Sequence, residues 1–187
     1  GQSAFSEYAV VDAENTVKVP YDDIDLGIVA PLGCGIQTGA GTVLNKLKPE
    51  FGSSIVVFGC GTVGMSAIMA ARIAGCEKII AVGGNPKSLA LALEVGATHT
   101  INRKECDDIV GEIRKITNGG ANYSIDTSGV TDFVRKGLHC LEPLGVEAVV
   151  GITAPMEIDM FGELMAEGKT IMGVIEGAAN PKLFIPK

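Results

Sequence analysis

The chain has 187 residues, 47% of them hydrophobic and 20% charged, the profile of one globular domain able to bury a core without a disulfide or metal staple. Its 15 basic and 22 acidic residues leave a net charge of −7, which argues against a nucleic-acid phosphate backbone as partner. The five cysteines Cys34, Cys60, Cys76, Cys106 and Cys140 show no CxxC spacing, so neither a disulfide framework nor a zinc ribbon is expected, and a reducing, cytoplasmic setting is.

From the N-terminus, β-forming residues at Phe5 to Val11 and Thr16 to Val19, split by Asp-Ala-Glu-Asn, read as a hairpin. Tyr21 to Ala30 reads as a short helix ahead of Pro31, and Gly39 to Leu47 as a second helix. No secretory signal is expected in this opening, and the missing initiator Met points to an excised fragment. The uncharged stretches Leu26 to Asn45 and Phe51 to Ala71 are long enough to resemble membrane spans. Both are broken by glycines, which favours a buried core.

After Lys48-Pro49-Glu50 the pattern becomes regular. Strands are predicted at Ser54 to Phe58, Lys78 to Val82, Thr98 to Ile101, Tyr123 to Asp126, Val146 to Val150 and Thr170 to Val174. Helices are predicted at Thr62 to Ala74, from Asn85-Pro86 to Gly96, from Glu105 to Thr117 and from Thr131 to Leu141. This alternation implies an α/β fold with a doubly wound parallel sheet, the Rossmann dinucleotide-binding arrangement. Met156, Ile158 and Met160 alternate with Glu157 and Asp159, the pattern of a short edge strand.

The most informative motif is Gly59-Cys60-Gly61-Thr62-Val63-Gly64, a GxGxxG between a predicted strand and a predicted helix. Gly59 permits the tight turn, Gly61 lets backbone approach a pyrophosphate, and Gly64 allows close strand–helix packing. An acid is expected about 20 residues on, to hold the ribose hydroxyls. Gly83 occupies that slot, followed by Gly84 and Asn85. The missing carboxylate suits a 2′-phosphate, which Asn85 and Lys87 could meet, so the reading leans to NADP over NAD. Gly162 to Thr170 ends in Gly-Lys-Thr, but it lacks phosphate-loop spacing and precedes a strand. The sequon at Asn122 falls on a strand expected to be buried. Cys34 lies between two glycines ahead of a helix. From chemistry alone a lone cysteine is more often a small buried residue than a ligand. A methyltransferase or a non-catalytic nucleotide-sensing domain could also carry the glycine turn.

Leu32 to Leu47, Gly59 to Gly64, Glu94 to Thr98, Asn118-Gly119-Gly120 and Gly173 to Glu176 together resemble the zinc-dependent, medium-chain alcohol dehydrogenases. Gln37 and Val174-Ile175-Glu176-Gly177 look most like the aryl or benzyl alcohol branch. The resemblance covers the whole chain but only about the second half of a family member. It implies a catalytic-domain remnant at 1–35, a dinucleotide-binding domain at 36–175 and a return segment at 176–187. Cys34 matches a catalytic zinc ligand whose fellow ligands would precede Gly1. Thr38, Thr62 and Val63 match positions beside the pyrophosphate and nicotinamide, and Val150, Ile152, Val174 and Glu176 match positions bordering the nicotinamide. The implied activity is hydride transfer between a primary, aromatic or bulky alcohol and NAD(P), with zinc as Lewis acid. A homo-oligomer joined through Met156 to Met160 is also implied.

Overall fold

The computed structural model describes residues 6–19 and 22–186. Six strands form one sheet: β1 (Ser54–Phe58), β2 (Lys78–Gly83), β3 (His99–Asn102), β4 (Ala121–Asp126), β5 (Leu141–Val149) and β6 (Thr170–Gly173). Their spatial order is β3-β2-β1-β4-β5-β6 and every pairing is parallel, which is the doubly wound Rossmann topology. The strand order reverses between β1 and β4. Parallel pairing puts all the strand C-termini, and so all the turns carrying the candidate site, along one edge.

Strand β1 shows why the sheet needs helices on both faces. All five of its residues are buried, and successive side chains point to opposite sides. Ile55 and Val57 pack into one cluster with Ile68, Ala71 and Val43, while Val56 and Phe58 pack into another with Ile101, Ile113 and Leu138. Each fully buried isoleucine contributes on the order of 1.5–3 kcal/mol, so a charge at Val56 or Val57 would break the strand.

The first cluster is covered by α2 (Gly35–Gly41, prolonged by a π-helical turn to Leu47), α3 (Thr62–Ile73) and α4 (Pro86–Val95). The second is covered by α5 (Ile109–Thr117) and α6 (Thr131–His139). Helix α4 starts as expected: the Asn85 side chain accepts a hydrogen bond from the Lys87 amide at 3.0 Å, with Pro86 in the first turn and Gly96 at φ +135° closing the helix. Helix α5 starts later than Glu105. Asn102 Nδ2 donates to Glu105 Oε1 at 2.6 Å in a separate turn, and Asp108 is the cap, accepting from the Gly111 amide at 2.8 Å. Strand β5 starts at Leu141, earlier than expected, because Leu141 pairs with Ala121 before a register shift resumes the ladder at Tyr123 and Val146.

Three expectations for the N-terminal part are corrected. The N-terminal hairpin does not form: Phe5 lies outside the described residues, and residues 6–19 contain no strand, only a helical turn at Ala13–Asn15 capped by Asp12. Tyr8 is 90% and Val10 93% exposed, so the first half of the pattern has no apolar face to pack, and a two-stranded ribbon without such packing is marginal in water. Tyr21 also lies outside the described residues, and its predicted helix is reduced to α1 (Leu26–Val29). The chain then continues as a 3-10 helix through Ala30–Gly33, with Pro31 in the first turn, where its missing N–H costs nothing. Helix α2 starts at Gly35 rather than Gly39, because the Cys34 carbonyl already accepts from the Thr38 amide.

Met156 to Met160 is not a strand. Met156 and Ile158 are half-buried, Ile158 packing against the second cluster, and Met160 begins a π-helical turn to Leu164. The alternation records a segment lying over the core without a ladder partner, and the sheet ends at β6. Among the described residues no single helix is long and apolar enough to cross a membrane; the helical segments Leu26–Gly33 and Gly35–Leu47 meet at 49°. The five cysteines are free thiols.

Candidate functional site

The glycine turn joins β1 to α3 at the point where the strand order reverses. Gly59 adopts φ +102°, a conformation open to glycine at little cost. A Cβ on Gly64 would lie 1.9 Å from the Gly59 carbonyl oxygen, so only glycine lets α3 close on the turn. Around Gly61, by contrast, no heavy atom would meet a Cβ within 4 Å. The α3 N-terminus has no side-chain cap, which leaves its first amides available to an anion. This open glycine and these uncapped amides fit a pyrophosphate.

The turn is braced from β4. The Thr127 hydroxyl donates to the Phe58 carbonyl at 2.9 Å and lies 3.2 Å from the Gly59 carbonyl. Asp126, wholly buried at the end of β4, accepts from the Ser128 hydroxyl at 2.6 Å, the Ser128 amide at 3.1 Å and the Gly129 amide at 3.1 Å. Its carboxylate therefore fixes the β4 turn and is saturated by donors. Sequence reasoning assigned Asp126 no role; the Asp-Thr-Ser-Gly run, which favours a side-chain-to-backbone turn, is the signal for one.

Beside the glycine turn, the end of β2 opens into a cavity of about 330 Å³ whose wall includes Gly59, Cys60, Gly83, Asn85, Ser88 and Arg103. Gly83 is buried, and a Cβ there would lie 3.0 Å from Cys60 Sγ and 3.1 Å from Leu89 Cδ2. Asn85 turns its Oδ1 back to cap α4, which leaves Nδ2 for a ligand. Lys87 is exposed and does not contribute to the cavity wall. Cys60 does, and burial pushes its thiol up to about 11, so it stays neutral at physiological pH. Ser88 and Arg103 are further lining residues that no motif marks.

The remaining candidates line the same edge of the sheet. Gly35 and Gly39 bring α2 onto α3: Cβ atoms there would lie 2.8 Å from Thr62 Cγ2 and 2.0 Å from the Val63 carbonyl oxygen. This contact holds Cys34 and Thr38 next to Thr62 and Val63. Gly177 packs on the other side of α2, where the Asn45 amide group donates to its carbonyl at 3.0 Å. Glu176 and Ala178 flank it with positive φ of 47° each. The Val150 amide donates to the Asp126 carbonyl at 2.9 Å and the Val174 amide to the Val149 carbonyl at 3.0 Å. Val150, Val174 and Glu176 therefore lie at or just beyond the ends of β5 and β6. Ile152 is 98% exposed.

Cys34 is an exposed thiol at the start of α2. Among the described residues no group of three potential ligands could hold a metal ion, and one thiolate does not make a zinc site.

Comparison with known proteins agrees with the fold. The model of the zinc-binding dehydrogenase family matches residues 62–185. Geraniol dehydrogenase of Castellaniella defragrans is 39% identical over 190 aligned residues, covering 100% of this chain and 50% of that protein. Benzyl alcohol dehydrogenase from Acinetobacter calcoaceticus superposes with a TM-score of 0.91 at 44% identity, over 99% of this chain and 51% of that one. An alcohol dehydrogenase zinc-binding domain protein from Burkholderia ambifaria gives a TM-score of 0.91 at 48% identity, over 99% and 50%. The chain spans about half the length of the curated relatives it matches.

Proposed function

Because this chain belongs to the zinc-binding dehydrogenase family, we propose that it is the dinucleotide-binding half of an alcohol dehydrogenase that moves hydride between a primary alcohol and NADP(H). The observation that carries this reading is the open Gly61 position beside the uncapped α3 N-terminus, at the reversal of strand order. When bound, the nicotinamide supplies the hydride acceptor or donor.

The chain's own residues hold and orient that cofactor. Gly59, Gly61 and Gly64 with the amides of Thr62 and Val63 seat the pyrophosphate. Gly83 and Asn85 border the adenosine ribose, Lys87 stands exposed outside the cavity wall, and the absence of an acid there removes both the contact that favours NAD and the repulsion of a 2′-phosphate. Thr38, Val150, Ile152, Val174 and Glu176 border the nicotinamide. Cys34 is one donor of a zinc site whose other ligands lie outside the described residues. The named activities of the relatives, on geraniol and benzyl alcohol, suggest a bulky or aromatic primary alcohol. A homodimer or homotetramer is part of the same reading.

Fluorescence titration of the chain with NADPH and NADH tests the reading. Binding of both, with NADPH at least as tight, is expected. Binding of neither would remove the dinucleotide assignment, and a clear preference for NADH would make Gly83 a turn residue only.

A further inference from the structure

Arg103 directly follows β3 and is anchored to the end of β2 through its backbone amide, which donates to the Gly83 carbonyl at 2.8 Å. Its side chain folds across the adjoining glycine. A Cβ on Gly84 would lie 2.8 Å from Arg103 Nε and 3.4 Å from Cζ, so a larger residue would displace the guanidinium from the strand end. Cζ stands 5.7 Å from the centre of the Phe133 ring, a weak cation–π contact at an exposed position.

Two further facts give this placement a direction. Among the described residues no carboxylate oxygen lies within 4 Å of the Arg103 guanidinium, whereas Arg135 and Lys136 on α6 are each paired with an acid. The cavity wall that Arg103 completes contains no acid and no second cation; its other polar side chains include Asn85, Ser88 and Ser128. Arginine is always charged, and its planar fork matches phosphate geometry. A permanently charged, unpaired fork at the ribose end of a dinucleotide cavity is placed to meet a phosphate dianion.

We propose that Arg103 is the residue that binds the 2′-phosphate of NADP(H), closing on it from the β3 side while Ser88 and Asn85 Nδ2 donate from α4. This inference rests on the NADP reading and names the residue that makes it work. Arg103 is a specificity residue here: it touches the part of the cofactor that distinguishes the two dinucleotides and lies on the opposite side of the fold's edge from the nicotinamide positions.

The test is a fluorescence titration of the 187-residue chain and its Arg103→Met and Arg103→Lys variants with NADPH and NADH. Methionine keeps apolar contact with Phe133 and removes the charge. Arg103→Met should weaken NADPH roughly tenfold to a hundredfold, the loss of one to two charge-assisted contacts, and leave NADH within about twofold. Unchanged NADH binding also shows that the variant is folded. Arg103→Lys should recover part of the loss, because a point charge replaces the fork. If the wild-type chain prefers NADPH and Arg103→Met keeps that preference, the arginine assignment falls while the NADP reading stands. Equal weakening of both dinucleotides would make Arg103 an adenine-stacking residue and also overturn the proposal. A wild-type preference for NADH overturns the NADP reading and this inference with it.

Discussion

A Cβ on Gly64 would sit 1.9 Å from the carbonyl oxygen of Gly59, so the first turn of α3 and the end of β1 touch backbone to backbone. Gly61, three residues earlier, meets nothing within 4 Å. The two glycines should therefore respond differently to the same substitution. Gly64→Ala must push α3 off the turn and should cost about 1–3 kcal/mol, the usual range for overpacking. A lower melting temperature and lost dinucleotide binding are expected. Gly61→Ala should leave the melting temperature unchanged yet weaken the dinucleotide at least tenfold, because its methyl group enters space reserved for the ligand. Melting curves with and without NADPH separate the two.

Replacing Gly83 by aspartate should favour NADH, since the carboxylate accepts from the ribose hydroxyls and repels a 2′-phosphate. The new Cβ must fit 3.0 Å from Cys60 Sγ and 3.1 Å from Leu89 Cδ2, so the single substitution should also cost stability, on the order of 1 kcal/mol. Adding Cys60→Ala should return most of that stability while keeping the switched preference. Calorimetry and paired titrations of the single and double variants check both parts.

Glu147 predicts a pH dependence unrelated to the cofactor. It is wholly buried on β5, both carboxyl oxygens lack a hydrogen-bond partner, and its ladder neighbour Ser124 has a hydroxyl in the same condition. Burial first, and then the nearby Asp126 charge, push its carboxyl up to about 9. The folded state thus holds a proton that the unfolded chain releases near pH 4.5. This contribution to stability is complete below that value and declines, by up to about 1.4 kcal/mol per pH unit, as pH rises through 9. Chemical denaturation between pH 5 and 9 should show the decline in the wild-type chain, and Glu147→Gln should flatten it. Equal slopes would mean that Glu147 ionises normally.

The 187-residue chain should bind zinc weakly, because Cys34 has no companion ligands among the described residues. Calorimetric titration with Zn²⁺ should show no site tighter than the micromolar range, and Cys34→Ser should leave dinucleotide binding unchanged. Tight one-to-one binding lost in Cys34→Ser would reveal a donor set that the described residues do not contain.

The glycine turn and the alternation of strands and helices were legible in the sequence because their causes are local. Gly59, Gly61 and Gly64 answer steric demands within one turn, Asn85 caps the helix that it precedes, and the continuous apolar run of β1 reports burial on both faces. The slot left empty at Gly83 was legible for the same reason, since it is counted along the chain from the motif. Arg103 was not, because it meets Gly84 only when β3 lies beside β2, and no spacing rule encodes that juxtaposition. Asp126 could be read as a turn former, but its burial against the glycine turn depends on β4 pairing with β1. The N-terminal ribbon and the Met156 to Met160 segment carry strand-like sequence without strand structure. A strand requires a hydrogen-bonding neighbour, and whether one is present is a property of the assembled fold.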